Sequence, residues 1–314
     1  MASNSLHFRV FIMDRTIGFA GLGKMGKNIV LQMLEKGYKV VALNRSPAPL
    51  DEVVAKGAIR SSSLDDLVSK LGDRKVVWLM YPAGEVTDRA IERLGGLLKR
   101  GDIVIDGANN RYTDTVKHYE FLNSKGISML DAGCSGGPSG ARNGMCMMVG
   151  GDKDSYEYLQ ELFKKLSVPE GHMYTGPSGS GHFVKMVHNA IEYGMMQSLA
   201  EGVDLVANGP YKGKLDLGEI TELWNHGSVI RSYLVELSAR ALKRNATLEG
   251  IEPYVEDNGE GRWSVNAAVE YAIPFSAISS SLFERFTSRS DKHFSHRLLA
   301  ALRHEFGGHA IKES

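Results

Sequence analysis

The stretch TIGFAGLGKMG (16–26) constrains this chain most, because it sets Gly21, Gly23 and Gly26 between a short β-rich run and a helical pattern. G-x-G-x-x-G alone is a common turn. Placed between a strand and a helix, its glycines let backbone approach a pyrophosphate at the positive end of the helix. A cofactor loop of Gly21, Leu22, Gly23, Lys24, Met25 and Gly26 is the expectation. KVVALN (39–44), KVVWLM (75–80), IVIDGA (103–108) and ISMLDAG (127–133) read as further strands. Between them 25–36, 51–56, 64–71, 85–99 and 113–125 read as helices. Such alternation implies a parallel sheet wound by right-handed crossovers.

A glycine-rich stretch, 133–151, then leads into CMMVGG, a further strand, and MYTGPSGSG (173–181) reads as a turn-rich hinge. Beyond it the periodicity is helical only: 182–208, 216–225, 229–244, 264–272, 276–286 and 291–305, with 245–262 as a connecting loop. The predicted class is an α/β, Rossmann-type N-terminal domain with a mostly parallel sheet, followed by an all-α domain. The expected boundaries are 1–179 for dinucleotide binding and 180–314 for substrate binding and dimerisation.

The second strand ends in Asn44-Arg45-Ser46, where an NAD-binding fold usually carries an acidic residue for the ribose hydroxyls. An arginine can stack on adenine and meet a 2′-phosphate that a carboxylate would repel. NADP is therefore expected over NAD, with NAD used less well. Tyr81, directly after KVVWLM, joins the expected cofactor set.

The segment GHFVKMVHNAIEY (181–193) places Lys185, His188, Asn189 and Glu192 at i, i+3, i+4 and i+7, on one face of a helix. A buried lysine is costly unless it is paired or partly neutral, so a polar stripe here suggests a lined pocket; a solvated face is the plain structural alternative. Lysine plus arginine equals aspartate plus glutamate, 37 each, so no global field favours nucleic acid or an anionic membrane. An acidic small molecule would need local cations. Two cysteines, Cys134 and Cys146, fit a reducing compartment rather than a disulfide scaffold, and the ten histidines form no metal motif. Nothing near Cys134 activates a thiol, and it reads as core filler. The first residues lack an apolar signal core, and a cytoplasmic protein is expected.

DAGCSGGPSGARNG, GSGHFVKMVHNAIEYG and the terminal RHEFGGH together resemble 6-phosphogluconate dehydrogenase, the decarboxylating enzyme of the pentose phosphate pathway in the β-hydroxyacid dehydrogenase superfamily. The chain looks like the short form of that family, whose long form duplicates the helical domain. The resemblance implies Lys185 as general base and Glu192 as general acid. It implies substrate contacts at Ser135, Gly136, Gly137, His188, Asn189 and Tyr193, and a nicotinamide-ribose contact at Asn109 in DGANN. The family's usual Asp-Gly-Gly-Asn has become Asp-Gly-Ala-Asn there. Arg303 and His309 match the tail that reaches a partner subunit's phosphate site in the long form. That form also uses a lysine after a Phe-x-Arg segment. Here the stretch is FERFTSRSDK, and Arg289 is the chosen phosphate cation, with Lys292 as competitor. A homodimer or higher homo-oligomer is expected, with no metal. A 3-hydroxyisobutyrate-type enzyme acting on a small acid is the alternative.

Overall fold

The computed structural model describes residues 16–290, 294–307 and 310. The first part alternates β1 (Thr16–Ala20), α1 (Lys24–Glu35), β2 (Lys39–Leu43), α2 (Pro47–Ala55), β3 (Ile59–Arg60), α3 (Leu64–Ser69) and β4 (Val76–Leu79). It continues through α4 (Glu85–Leu97), β5 (Ile103–Asp106), α5 (Tyr112–Asn123), β6 (Ser128–Ser135) and α6 (Gly137–Asn143). Then come β7 (Met145–Gly151), α7 (Lys153–Leu166) and β8 (Ser167–Gly176). The strands form one eight-stranded sheet in the order β3-β2-β1-β4-β5-β6-β7-β8. Every neighbouring pair is parallel except β6 and β7, which run antiparallel with Ser135 opposite Cys146. The Rossmann-type, mostly parallel expectation is met. Alternating side chains of each strand fill opposite faces. Phe19 and Trp78 stack at 5.9 Å in one layer with Phe163 against the indole, while Val77, Leu79 and Ile91 pack in the other.

The long helix α8 (Ser180–Asn208) follows, then α9 (Leu217–Leu223), α10 (Tyr233–Arg244), α11 (Glu260–Glu270), α12 (Ser276–Thr287) and α13 (Phe294–Gly307). No strand occurs beyond Gly176 among the described residues, as the loss of period-2 patterning implied. The chain forms two compact units that divide inside α8, between His188 and Asn189.

Two local readings are corrected and two stretches gain a helix that the sequence reading did not assign. The hinge at 173–181 begins as strand, because β8 pairs with β7 as far as Gly176, and its turn is confined to 177–179 before α8 starts at Ser180. The glycine-rich 133–151 contains α6, entered through Pro138 in the first turn, where a missing N–H costs nothing. Residues 153–166 form α7, which buries Leu159, Leu162, Phe163 and Leu166. The loop at 245–262 ends early, since α11 begins at Glu260, itself buried.

Candidate active site

The glycine loop has the shape its sequence promised. Gly21 sits at φ +102°, and a β-carbon there would lie 2.5 Å from the Met80 carbonyl oxygen. A β-carbon on Gly26 would collide with the Gly21 carbonyl, so the bare residue lets α1 lie against the turn. Around Gly23 nothing stands within 4 Å of the same position, and no side chain caps α1. An open approach to an uncapped helix N-terminus fits a dinucleotide's phosphates. Asn44 is a brace at this turn. Its Oδ1 accepts from the Leu22 backbone N–H at 2.9 Å and its Nδ2 donates to the Ser46 carbonyl at 2.9 Å. Arg45 and Ser46 are exposed beside it, and Lys24 is exposed on α1. Tyr81 lines an open cavity of about 310 Å³ with Leu64, Glu85, Val86, Arg89 and Ala90, and burial pushes its hydroxyl pKa up.

At the end of β5, Asp106 folds the DGANN turn. Its carboxyl group takes the Asn110 amide at 2.6 Å and the Ala108 N–H at 3.2 Å, and its full burial pushes its pKa up. Asn110 is thereby buried and Asn109 left exposed. The neighbouring strand, β6, carries two residues that seat the start of α8. Asp131, fully buried, accepts from the backbone N–H groups of Gly179 at 2.8 Å and His182 at 2.9 Å. Gly133 is bare where Lys185 passes; a β-carbon there would collide with the Lys185 β-carbon. Lys185 is only 6% exposed. One turn on, His188 Nε2 meets Ser135 Oγ at 3.2 Å, at the lip of the exposed Gly136–Gly137 loop. Cys134 is buried, and that burial drives its thiol pKa up to about 12, so it holds its proton.

From Asn189 onward α8 is held by side chains. Asn189, buried, donates to Glu260 Oε1 at 3.0 Å, and Glu192 is half-buried. The Tyr193 hydroxyl donates to Asn258 Oδ1 at 2.7 Å, and burial pushes its pKa up. The Arg285 guanidinium lies 3.5 Å from the centre of the Tyr193 ring and donates to the Glu256 carbonyl at 2.7 Å. Arg289 is engaged elsewhere: it pairs with Asp257 at 2.7 Å, as does Arg262 at 2.6 Å. The Arg262 hydrogen bond, with Arg289 adding to it, holds the Asp257 carboxyl down at about 2. Arg303 is exposed on α13, while His309 and Lys292 lie outside the described residues.

Lys185 and Glu192 are thus separated by seven residues of one helix, an axial rise of about 10 Å. Asp131, His182, Asn258, Glu260 and Arg285 escaped the sequence reading. Arg285 alone had a visible signal, as the arginine of the Phe-Glu-Arg segment itself. The others carry no local mark, whether in the strand and helix patterns of 127–133 and 182–208 or in the stretch 245–262, and only long-range pairing reveals them. Among the described residues no cluster of three or more His, Cys, Asp or Glu could hold a metal ion, and no helix is long and apolar enough to cross a membrane.

Comparison with known proteins covers both units. Residues 16–176 match the family model of the NAD binding domain of 6-phosphogluconate dehydrogenase, and 181–312 match that of the 6-phosphogluconate dehydrogenase C-terminal domain. The chain is 40% identical to a putative 6-phosphogluconate dehydrogenase of Bacillus subtilis, over 95% of this chain and 99% of that protein. It is 41% identical to the NAD(+)-dependent, decarboxylating 6-phosphogluconate dehydrogenase of Haloferax volcanii, over 94% and 98%. A solved Plasmodium falciparum 6-phosphogluconate dehydrogenase, described in apo form and in complex with NADP+ and with 6-phosphogluconate, superposes with a TM-score of 0.80 at 30% identity. That alignment takes in 95% of this chain and 66% of the longer one.

Proposed function

The chain belongs to the 6-phosphogluconate dehydrogenase family, and from that membership we propose that it oxidatively decarboxylates 6-phospho-D-gluconate to D-ribulose 5-phosphate and CO2, with NADP preferred over NAD. The observation that carries the reading is the polar stripe of α8, with Lys185 buried against Gly133 of β6. An amine so placed serves proton transfer better than solvation.

Lys185 takes the proton of the C3 hydroxyl as the hydride leaves. The nicotinamide, when bound, supplies the acceptor for that hydride. The product is a β-keto acid, whose carboxylate leaves as CO2 once its carbonyl is polarised. The lysine, now an ammonium, gives its proton to that oxygen as the bond to the carboxylate breaks, which leaves the enediol. Glu192 then delivers a proton to the carbon that lost CO2, C1 of the ribulose product, and Lys185 takes back the hydroxyl proton to complete the ketone. Ser135, Gly136, Gly137, His188 and Asn189 hold the carboxylate and hydroxyls. Tyr193 and Arg285 take the phosphate. Arg285 is the better placed cation than Arg289, because Asp257 already occupies the latter. Arg303 and His309 are further phosphate contacts in this reading.

On the cofactor side Gly21 to Gly26 hold the pyrophosphate, with Tyr81 and Asn109 towards the rings. Support for NADP is the pair of exposed groups Arg45 and Ser46 after a strand with no terminal carboxylate. The Haloferax volcanii relative is NAD(+)-dependent, so the preference rests on this loop. The helical part is the substrate-binding and dimerisation part of a cytoplasmic homodimer in the pentose phosphate pathway. Its exposed Val229, Val269, Phe294 and Leu299 support a covered face.

Absorbance at 340 nm with 6-phosphogluconate and either cofactor tests the proposal. Reduced cofactor should form with both, with higher kcat/KM for NADP. No reduction in either case would refute the reaction, and an NAD preference would refute the specificity.

A further inference from the structure

The geometry points to Asp131 as a positioning residue for Lys185, acting through the first turn of α8. The inference rests on the role given to Lys185 above. Three observations converge on it. Asp131 is 0% exposed and spends each carboxylate oxygen on a different backbone N–H at the mouth of α8, Gly179 at 2.8 Å and His182 at 2.9 Å. Lys185 follows His182 by three residues and so lies on the same face of the helix, one turn further in. The surroundings leave the carboxylate no slack. A β-carbon on Gly150, its partner across the strand pair, would stand 2.6 Å from Ser180 Oγ, 2.7 Å from the Gly181 N and 2.9 Å from Asp131 Oδ1.

The first turn of a helix presents N–H groups that no residue of the helix can satisfy. Here a side chain of the neighbouring strand takes two of them, at Gly179 and His182, while the preceding turn takes the Ser180 N–H through the Pro177 carbonyl at 3.0 Å, so the helix is indexed to β6 as well as to its own turn. The same strand supplies Gly133, on which the Lys185 stem rests, and Ser135, which meets His188. One strand therefore sets both the axial position of α8 and the seat of the amine. His182 adds a lateral hold, its Nδ1 meeting Thr115 Oγ1 of α5 at 2.8 Å. A misplacement of about 1 Å between base and substrate can cost on the order of 100-fold in rate.

The test is Asp131→Asn in the full chain. Its shape is kept, but the amide turns an N–H donor towards one of the two backbone donors. Cofactor titration counts the folded sites, and the rate is expressed per site. The expected result is kcat per site lower by roughly 10–100-fold, with KM for 6-phosphogluconate and for cofactor within about threefold of wild type. The single-turnover rate should fall equally. Should Asp131→Asn fail to fold, Gly150→Ala presses on the same junction from the other side and should give the same split between kcat and KM. A kcat per site within twofold of wild type, or a loss confined to the number of sites or to KM, would overturn the inference alone. Wild-type protein that reduces no cofactor with 6-phosphogluconate would overturn the proposed function, and this inference with it.

Discussion

The two halves of α8 hold their polar side chains by opposite means. From Ser180 to His188 the helix is pressed on strand backbone. Asp131 caps it and Gly133 makes room for Lys185. From Asn189 to Tyr193 it is clasped by other side chains, through Glu260, Asn258 and Arg285. Close backbone packing fixes position to within the tolerance of a van der Waals contact. A hydrogen-bonded network instead holds groups that can exchange one partner for another, as a polar ligand requires. In the proposed reaction the rigid first half carries Lys185, and the second half carries Glu192 and the phosphate contact Tyr193.

That division can be broken by experiment. The largest effect should come from Lys185→Met, which is expected to lower kcat by at least about 1,000-fold while cofactor affinity, read by fluorescence titration, stays close to wild type. Retained turnover would remove the lysine from the chemistry. Next, Arg285→Ala should raise KM for 6-phosphogluconate by roughly 10–100-fold with little change in kcat, since a charge-assisted phosphate contact is lost. A fall in kcat of the same size would blur the two halves into one. Tyr193→Phe removes only the hydroxyl held by Asn258, an interaction worth about 1 kcal/mol, and should raise substrate KM by about fivefold.

The smallest expected effect is on acid stability. Asp257 titrates near 2 in the folded protein against 3.8 in the unfolded chain, because Arg262 and then Arg289 favour its charged form. A depressed folded value means the stabilisation is complete above pH 3.8 and is lost as pH falls towards 2. Melting curves of wild type and Asp257→Asn should therefore differ by roughly 3–6 °C near neutrality and converge in that acid window. Curves parallel down to pH 2 would show that the pair stabilises nothing.

The nucleotide end was almost fully legible because its signals are local. The glycine pattern, the strand before it and the start of the helix after it occupy eleven adjacent residues, 16–26, where Gly21 answers a contact with Met80, Gly26 one with Gly21, and Gly23 leaves open space. The stripe Lys185, His188, Asn189 and Glu192 was legible for the same reason, since helical periodicity alone puts it on one face. The choice of phosphate cation falls in a region where local signals run out. FERFTSRSDK offers Arg285, Arg289 and Lys292 within one short stretch, and nothing in the stretch says that Asp257 claims the second. The expected hinge at 173–181 was misread in part, because a strand's partner is chosen by the sheet.

By itself, then, the sequence determined the α/β then all-α order, the glycine turn after β1 and the set of groups on α8. All of these depend on residues a turn or two apart, where propensity and periodicity act. Only the tertiary structure decided that Asp131 caps α8, that Gly133 seats Lys185, and that Arg285 rather than Arg289 stands at Tyr193. Those pairings join residues separated by roughly 50 to 90 positions, and no local energy term distinguishes them before the sheet and helices have packed.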